Sequence, residues 1–170
     1  FFKPKAVPGD FAASGTVEAT DAALGFQLPG RIEWIGPHEG DRVKAGDTLA
    51  RLDRTELMAR RAQAQAQLAQ EQARNEQSRR ESVRLMRLAA EKAISQREFD
   101  DASSNLKLAQ ATLQAAEAKV REAELNLSYT SVAASVSGVS GRAARSEGSL
   151  ISAGVDSLLT TISQVDPIWV

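Results

Sequence analysis

His38 is the only histidine in the 170 residues, and cysteine is absent. A metal centre of imidazole or thiolate ligands needs several such groups at close spacing, and Met58 and Met86 lie too far from His38 and from each other in sequence to supply them. Ser140 follows Gly138-Val139, but Gly141 comes directly after it, which breaks the Gly-x-Ser-x-Gly pattern of a nucleophile elbow. The single histidine, His38, is remote from Ser140 in sequence, so nothing positive points to a hydrolase. Asp100 and Asp101 sit in the first turn of a predicted helix, where carboxylates answer the positive end of the helix dipole. The sequence therefore predicts no catalytic, cofactor-binding or metal-ligating set, and no enzyme. The informative spacings belong to glycines and to leucine–alanine rows, which build surfaces rather than reaction centres.

Those spacings divide the chain. Pro29-Gly30, Glu39-Gly40, Val43 and Ala45-Gly46 recur as Ser137-Gly138, Glu147-Gly148, Ile151 and Ala153-Gly154, at an offset of 108 residues. Glycines returning in register mark a module built from two similar halves, which must meet in space. All 11 glycines and all 5 prolines lie outside the stretch from Arg54 to Leu127. That stretch is free to run as helix, whereas the Val-, Ile- and Thr-containing flanks read as short strands joined by tight turns.

The second half of the insert carries Leu106, Leu113, Val120 and Leu127 at seven-residue spacing from Phe99, beside a parallel row of Ala102, Ala109, Ala116 and Ala123. These are the two rows of a coiled-coil seam, with alanine allowing close approach. The first half is less regular: Leu57, Ala64, Leu68 and Leu85 stand near heptad positions, and a second alanine row runs through Ala59, Ala62, Ala66, Ala69 and Ala73. The mostly polar section from Glu71 to Ser82 is expected to face water or a partner. Asp53 with Glu56, and Ser95 with Glu98, have the spacing of capping boxes, stapled by Leu52 with Leu57 and Ile94 with Phe99. They predict helices starting near Arg54 and Gln96, a reversal around Lys92 to Ser95, and an antiparallel hairpin with arms of roughly 50 Å. Its apolar seam is thin for that length, so neighbouring copies or a partner are expected to share in its stabilisation. The arginines Arg74, Arg79, Arg80, Arg84 and Arg87, interleaved with Glu76 and Glu81, read either as a solvated, salt-bridged face or as a docking surface for an acidic rim.

Bulk properties narrow the partners. A net charge of -1 and an aromatic content of 5% provide neither the basic footprint nor the stacking platform of a nucleic-acid binder. No run approaches the ~18 apolar residues of a membrane span, and no signal-peptide pattern appears. A mature or trimmed chain is expected, with Phe1-Phe2 before Lys3 as the stub of a removed anchor.

A glycine-punctuated β module split by a long antiparallel coiled coil resembles the periplasmic adaptor subunits, or membrane fusion proteins, of tripartite efflux pumps (the HlyD/RND-adaptor family). The resemblance is carried by Leu28-Pro29-Gly30-Arg31-Ile32 and Glu39-Gly40-Asp41-Arg42-Val43-Lys44-Ala45-Gly46-Asp47 in the first half. In the second half it is carried by Leu127-Ser128-Tyr129-Thr130, Ser137-Gly138 and Glu147-Gly148-Ser149-Leu150, and by the closing run from Gln164 to Val170. It departs from the family at Ala134-Ser135-Val136-Ser137, where Ala-Pro is usual. The implied fold is α+β: a split lipoyl/biotinyl-like β-sandwich interrupted by an antiparallel α-hairpin, with flanking β segments of a truncated β-barrel. The expected division is an N-terminal β segment (residues 1–23), the first lipoyl-like half (24–53), the hairpin (54–127, tip near 92–95), the second half (128–163), and the start of the β-barrel (164–170). A lipoyl-like fold raises the possibility of a prosthetic-group carrier, but the hairpin position after Leu52-Asp53 opens into the insert, and no lysine lies between Lys44 and Lys92.

Arg84, Leu88 and Ser95 match the family's Arg-x3-Leu-x6-Ser signature at the hairpin tip, and the resemblance implies that they engage an outer-membrane TolC-like channel. For Ser95 an N-cap role explains the residue equally well. The implied partners are that channel, an inner-membrane RND transporter, and further copies of the chain in a ring commonly of six. The implied location is the periplasm of a Gram-negative bacterium, anchored to the inner membrane, with no cofactor. The family continues beyond this point through a β-barrel and a membrane-proximal domain, so much of the transporter-facing surface is expected outside this sequence. An adaptor coupled to an ABC or MFS transporter, or to type I secretion, keeps the same architecture. A coiled-coil scaffold explains the heptads but not the repeat.

Overall fold

A computed structural model describes residues 18–152 and 157–169; the expectations for Phe1-Phe2, for most of the N-terminal β segment and for Ala153-Gly154 fall outside these. In chain order the elements are β1 (Glu18–Gly25), β2 (Gly30–Ile35), β3 (Arg42–Val43), β4 (Thr48–Leu52), α1 (Thr55–Ala90), α2 (Gln96–Ser128), β5 (Ser131–Ala133), β6 (Gly138–Ser140), β7 (Leu150–Ile151) and β8 (Leu158–Trp169). The strands form two four-stranded sheets, ordered β1-β8-β6-β3 and β5-β4-β2-β7, with antiparallel pairing throughout. Each sheet draws strands from both sides of the insert. Past the sandwich, β1 and β8 continue as a ribbon that pairs Thr20 with Gln164 and Glu18 with Trp169.

The repeat becomes a crossed set of bonds. Gly30 pairs with Ile151, and Val43 with Gly138, so each half supplies the partner of the other. The Gly40 amide donates to the Ser140 carbonyl and the Gly148 amide to the Ile32 carbonyl, both at 2.8 Å. In return the Ile32 amide donates to Ser149 and the Ser140 amide to Asp41, both at 2.9 Å. Gly40 and Gly148 have φ of +90° and +80°, a left-handed turn that glycine adopts without a Cβ penalty. The 108-residue offset does not hold to the end. Ile32 pairs with Leu52 as Ser140 pairs with Ile162, which makes the offset 110 beyond Ile151. The second half carries two extra residues between Ile151 and Ser157.

The core follows the same symmetry. Ile32, Leu49 and Leu52 from the first half and Leu159 and Ile162 from the second are fully buried, closed by Phe26, Val43, Val132 and Ile151. The chain leaves and re-enters this core at one place: the Leu52 amide donates to the Thr130 carbonyl at 2.8 Å, and the buried Thr130 hydroxyl donates to the Leu127 carbonyl. The root of the hairpin is thereby tied to β4. No helix among the described residues is long and apolar enough to cross a membrane.

Helices α1 and α2 pack along their length as an antiparallel pair. Ala102, Ala109 and Ala116 are the buried row, and Leu106, Leu113, Val120 and Leu127 are half-buried beside them, as expected of a two-stranded coiled coil with an alanine row. The polar section of α1 departs from expectation. Glu71, Asn75, Ser78 and Ser82 turn toward the partner rather than to water, and Ser82 is buried. They continue the four-three spacing of Leu57, Arg61, Ala64 and Leu68, and a seam fixed by helix geometry takes whatever residues fall on it. Glu71 Oε2 and Asn75 Oδ1 lie buried there without a hydrogen-bond partner. Nearer the root, Arg61 Nε faces Glu124 Oε1 across the seam at 3.4 Å.

Candidate interaction site at the hairpin tip

Helix α1 ends in a Schellman motif. The Ala93 amide donates to the Leu88 carbonyl at 2.8 Å and the Lys92 amide to the Ala89 carbonyl at 3.0 Å. The left-handed residue such a motif requires is Lys92, at φ 56°, where glycine is usual. Three residues on, Ser95 opens α2 with a complete capping box. Its hydroxyl accepts the Glu98 amide at 3.3 Å, and the Glu98 carboxylate accepts the Ser95 amide at 2.8 Å and the Ser95 hydroxyl at 2.9 Å. These bonds, the backbone one first, hold the Glu98 carboxyl below its ordinary range. The reversal is thus closed on both sides by hydrogen bonds, with Ile94 and Phe99 half-buried next to it.

The other box expected from sequence does not form. The Asp53 amide, which Glu56 would have capped, donates instead to the Arg31 carbonyl of β2 at 2.9 Å. Asp53 Oδ1 accepts the Thr55 amide at 2.9 Å, and that bond chiefly lowers the Asp53 pKa. Arg54 becomes the N-cap without a side-chain bond, and Glu56 pairs with Arg60 at 2.6 Å. Sheet pairing at the root takes precedence over the helix cap.

Of the signature residues, Arg84 and Leu88 stand one helical turn apart on α1, and Ser95 lies across the reversal. Arg84 is exposed and donates to Glu81 Oε1 at 2.6 Å; Leu88 is half-buried. Around them on the outer face of α1, Arg80 pairs with Glu76 at 2.9 Å, and Val83 and Met86 are exposed. Val83 was not singled out from sequence, and Met86 only as a metal ligand that was set aside; both are exposed and fall on neither the seam nor the signature. Among the described residues no group of histidine, cysteine and carboxylate side chains gathers in a way that would hold a metal ion.

Residues 60–130, the hairpin with its root, match the family described as "RND MFP, alpha-helical hairpin domain". The chain belongs to the membrane fusion protein family. It is 38% identical over 173 residues to the efflux pump periplasmic linker BepD of Brucella suis, covering 99% of this chain and 43% of that protein. It is 37% identical over 171 residues to the membrane fusion protein MtrC of Neisseria gonorrhoeae, covering 91% and 42%. A crystal structure of a MacA-MexA chimera containing the Pseudomonas aeruginosa MexA α-hairpin superposes with a TM-score of 0.64 at 27% identity, over 87% of this chain and 49% of that one. This membrane fusion protein chain therefore spans about two fifths of the length of its curated relatives.

Proposed function

We propose that this chain is part of a periplasmic adaptor that links an inner-membrane RND transporter to an outer-membrane TolC-like channel in a tripartite efflux pump. The observation that carries the reading is the match of the hairpin to the RND membrane fusion protein hairpin domain, and names such as "efflux pump periplasmic linker" among relatives that align over nearly the whole chain support it. The tip is built to present residues at a fixed place: two hydrogen-bonded caps hold the reversal, and Arg84 and Leu88 lie in the last turns of α1 beside it. In this reading Arg84 and Leu88 meet the channel, Ser95 sets the turn that aims them, and copies of the adaptor gather in a ring, six in the expected assembly, around the substrate passage. The protein works as a conduit and coupler in the periplasm, held at the inner membrane, and performs no chemistry of its own.

Site-specific cross-linking tests this. A Leu88→Cys variant of the intact protein should form an adduct with the outer-membrane channel that disappears in cells lacking the channel. Arg84→Glu or Leu88→Ser should abolish efflux while helicity is retained. Unchanged efflux with both variants, or no channel-dependent adduct, would overturn the assignment of the tip.

A further inference from the structure

The two sides of the seam between the helices differ in kind. On α2 it is apolar from end to end, through Ala102, Leu106, Ala109, Leu113, Ala116 and Val120, whereas on α1 it changes halfway. Leu57 and Leu68 serve the root and Leu85 the tip, but the seam positions between Leu68 and Leu85 are Glu71, Asn75, Ser78 and Ser82. These span about 17 Å of helix at ~1.5 Å per residue. Glu71 Oε2 and Asn75 Oδ1 are buried without a hydrogen-bond partner. Ser78 and Ser82 offer little apolar surface to the leucines and alanines of α2. Beside the same stretch opens a groove of about 650 Å³, in which Gln77, Ser78 and Glu81 share the lining with Asp101, Ala102 and Asn105. Few buried apolar contacts and orphaned buried oxygens mark a region that opens locally at small cost.

Both ends of the arm are held. At the root the Leu52 amide bonds the Thr130 carbonyl, and Arg61 faces Glu124 across the seam at 3.4 Å. At the tip the reversal is closed by the bond from Ala93 to Leu88 and by the Ser95–Glu98 box. Neither glycine nor proline occurs from Arg54 to Leu127, so neither helix carries a built-in point of breakage. Freedom in the middle therefore belongs to the pairing of the helices and not to their backbones. Two intact helices part and slide slightly past each other, as packed helices do in shear motions. Two rods joined only at their ends bend far more easily than two rods bonded along their length, and they carry the far end sideways without tilting it.

We infer that the middle of the arm, α1 from Glu71 to Ser82 against α2 from Ala102 to Leu113, is a compliant joint where the helices part without unfolding, and that the adaptor uses it to bring the tip sideways onto its channel. The role rests on the proposed function; the joint itself rests on the seam. Buried polar groups that break a local pattern are found where a protein gives up stability for function. Here they lie mid-arm, between a tied root and a capped tip, so the ends stay closed while the centre yields.

Spin-label pairs on the intact protein test the joint. Gln77→Cys/Asn105→Cys spans it, and Gln63→Cys/Glu122→Cys spans the arm nearer the root, each pair lining one groove. The distance distribution of the first pair should be at least about twice as wide as that of the second, and adding Glu71→Leu/Asn75→Leu should narrow it to the root value with helicity unchanged. The same two leucines should lower efflux at least about fivefold while the channel adduct at Leu88→Cys persists. Equal widths, or a broad distribution that the leucines leave unchanged, would overturn the joint, and full efflux from the narrowed arm would overturn its role. Absence of the adduct from the otherwise unsubstituted Leu88→Cys protein, with the widths as expected, would overturn the adaptor reading and leave the joint standing.

Discussion

The Leu88 carbonyl accepts the Ala93 amide at 2.8 Å, so a residue proposed to meet the channel is also one that ends the first helix. Loss of function at Leu88 therefore has two readings, docking and turn geometry, and only a variant that keeps the backbone bond separates them. Leu88→Ser retains a carbonyl at that position. Hydrogen exchange at the Ala93 amide should stay within about threefold of the parent while efflux is lost. A much faster exchange would assign the defect to the turn.

Lys92 adopts a left-handed conformation that costs a residue bearing a Cβ roughly 1 kcal/mol relative to glycine. Lys92→Gly should stabilise the tip by about that amount, read as slower amide exchange from Leu88 to Glu98. Lys92→Val should do the opposite, because β-branching tolerates positive φ poorly.

The two partnerless oxygens of Glu71 and Asn75 weaken the middle of the seam. Replacing both residues by leucine should raise hairpin stability by about 1–3 kcal/mol per relieved group, seen as a higher melting temperature of the helical signal. Leu113→Asp introduces the opposite defect in α2. It should unravel the hairpin while near-ultraviolet and β signals of the sandwich persist, because the two bodies have separate cores.

Glu98 has a lowered pKa in the folded tip, so its contribution to stability is present above its unfolded pKa and is lost as pH falls through the lower folded value. Glu98→Gln should destabilise the tip at neutral pH and differ little from the parent once both states are protonated. Tip amide exchange measured against pH checks the sign.

Glycines of the sandwich should differ sharply in tolerance. A Cβ on Gly138 would stand 2.3 Å from the Ser163 carbonyl oxygen, against backbone that cannot yield, whereas one on Gly40 would meet nothing within 4 Å. Gly138→Ala should cost several-fold more stability than Gly40→Ala, whose penalty is the positive φ alone, about 1 kcal/mol. Chemical denaturation of the two variants would reveal the ranking.

Much of this structure was legible in the residues because it depends on local rules. The two similar halves followed from the return of Gly40 and Gly148 in register, the alanine row of α2 from its seven-residue spacing, and the Ser95–Glu98 box from its three-residue spacing. The misses involved competition across the fold. Asp53 looked like an N-cap, but its amide belonged to a strand that sequence spacing does not bring near. Glu71 and Asn75 were placed toward water or a protein partner by their chemistry, although the heptad phase set by Leu57 and Leu68 turned them toward α2. The shift from 108 to 110 was hidden because the glycines that reveal the repeat stop short of the strand beyond it. Arg84, Leu88 and Ser95 are proposed as tip residues by resemblance; the four-residue spacing of Arg84 and Leu88 on α1 alone distinguishes them little from other arginines and leucines of that helix.

The tie between Leu52 and Thr130 also constrains how the molecule assembles. Neither half of the sandwich can complete a sheet until the chain has travelled out along α1 and back along α2, a detour that as loose chain would carry a substantial closure entropy. Helices form quickly from neighbouring residues, and once they zip together from the reversal the distant ends arrive side by side. The hairpin can thus serve as a splint that speeds folding of the β module without being needed to keep it folded, and Leu113→Asp should slow refolding of the sandwich while leaving it stable.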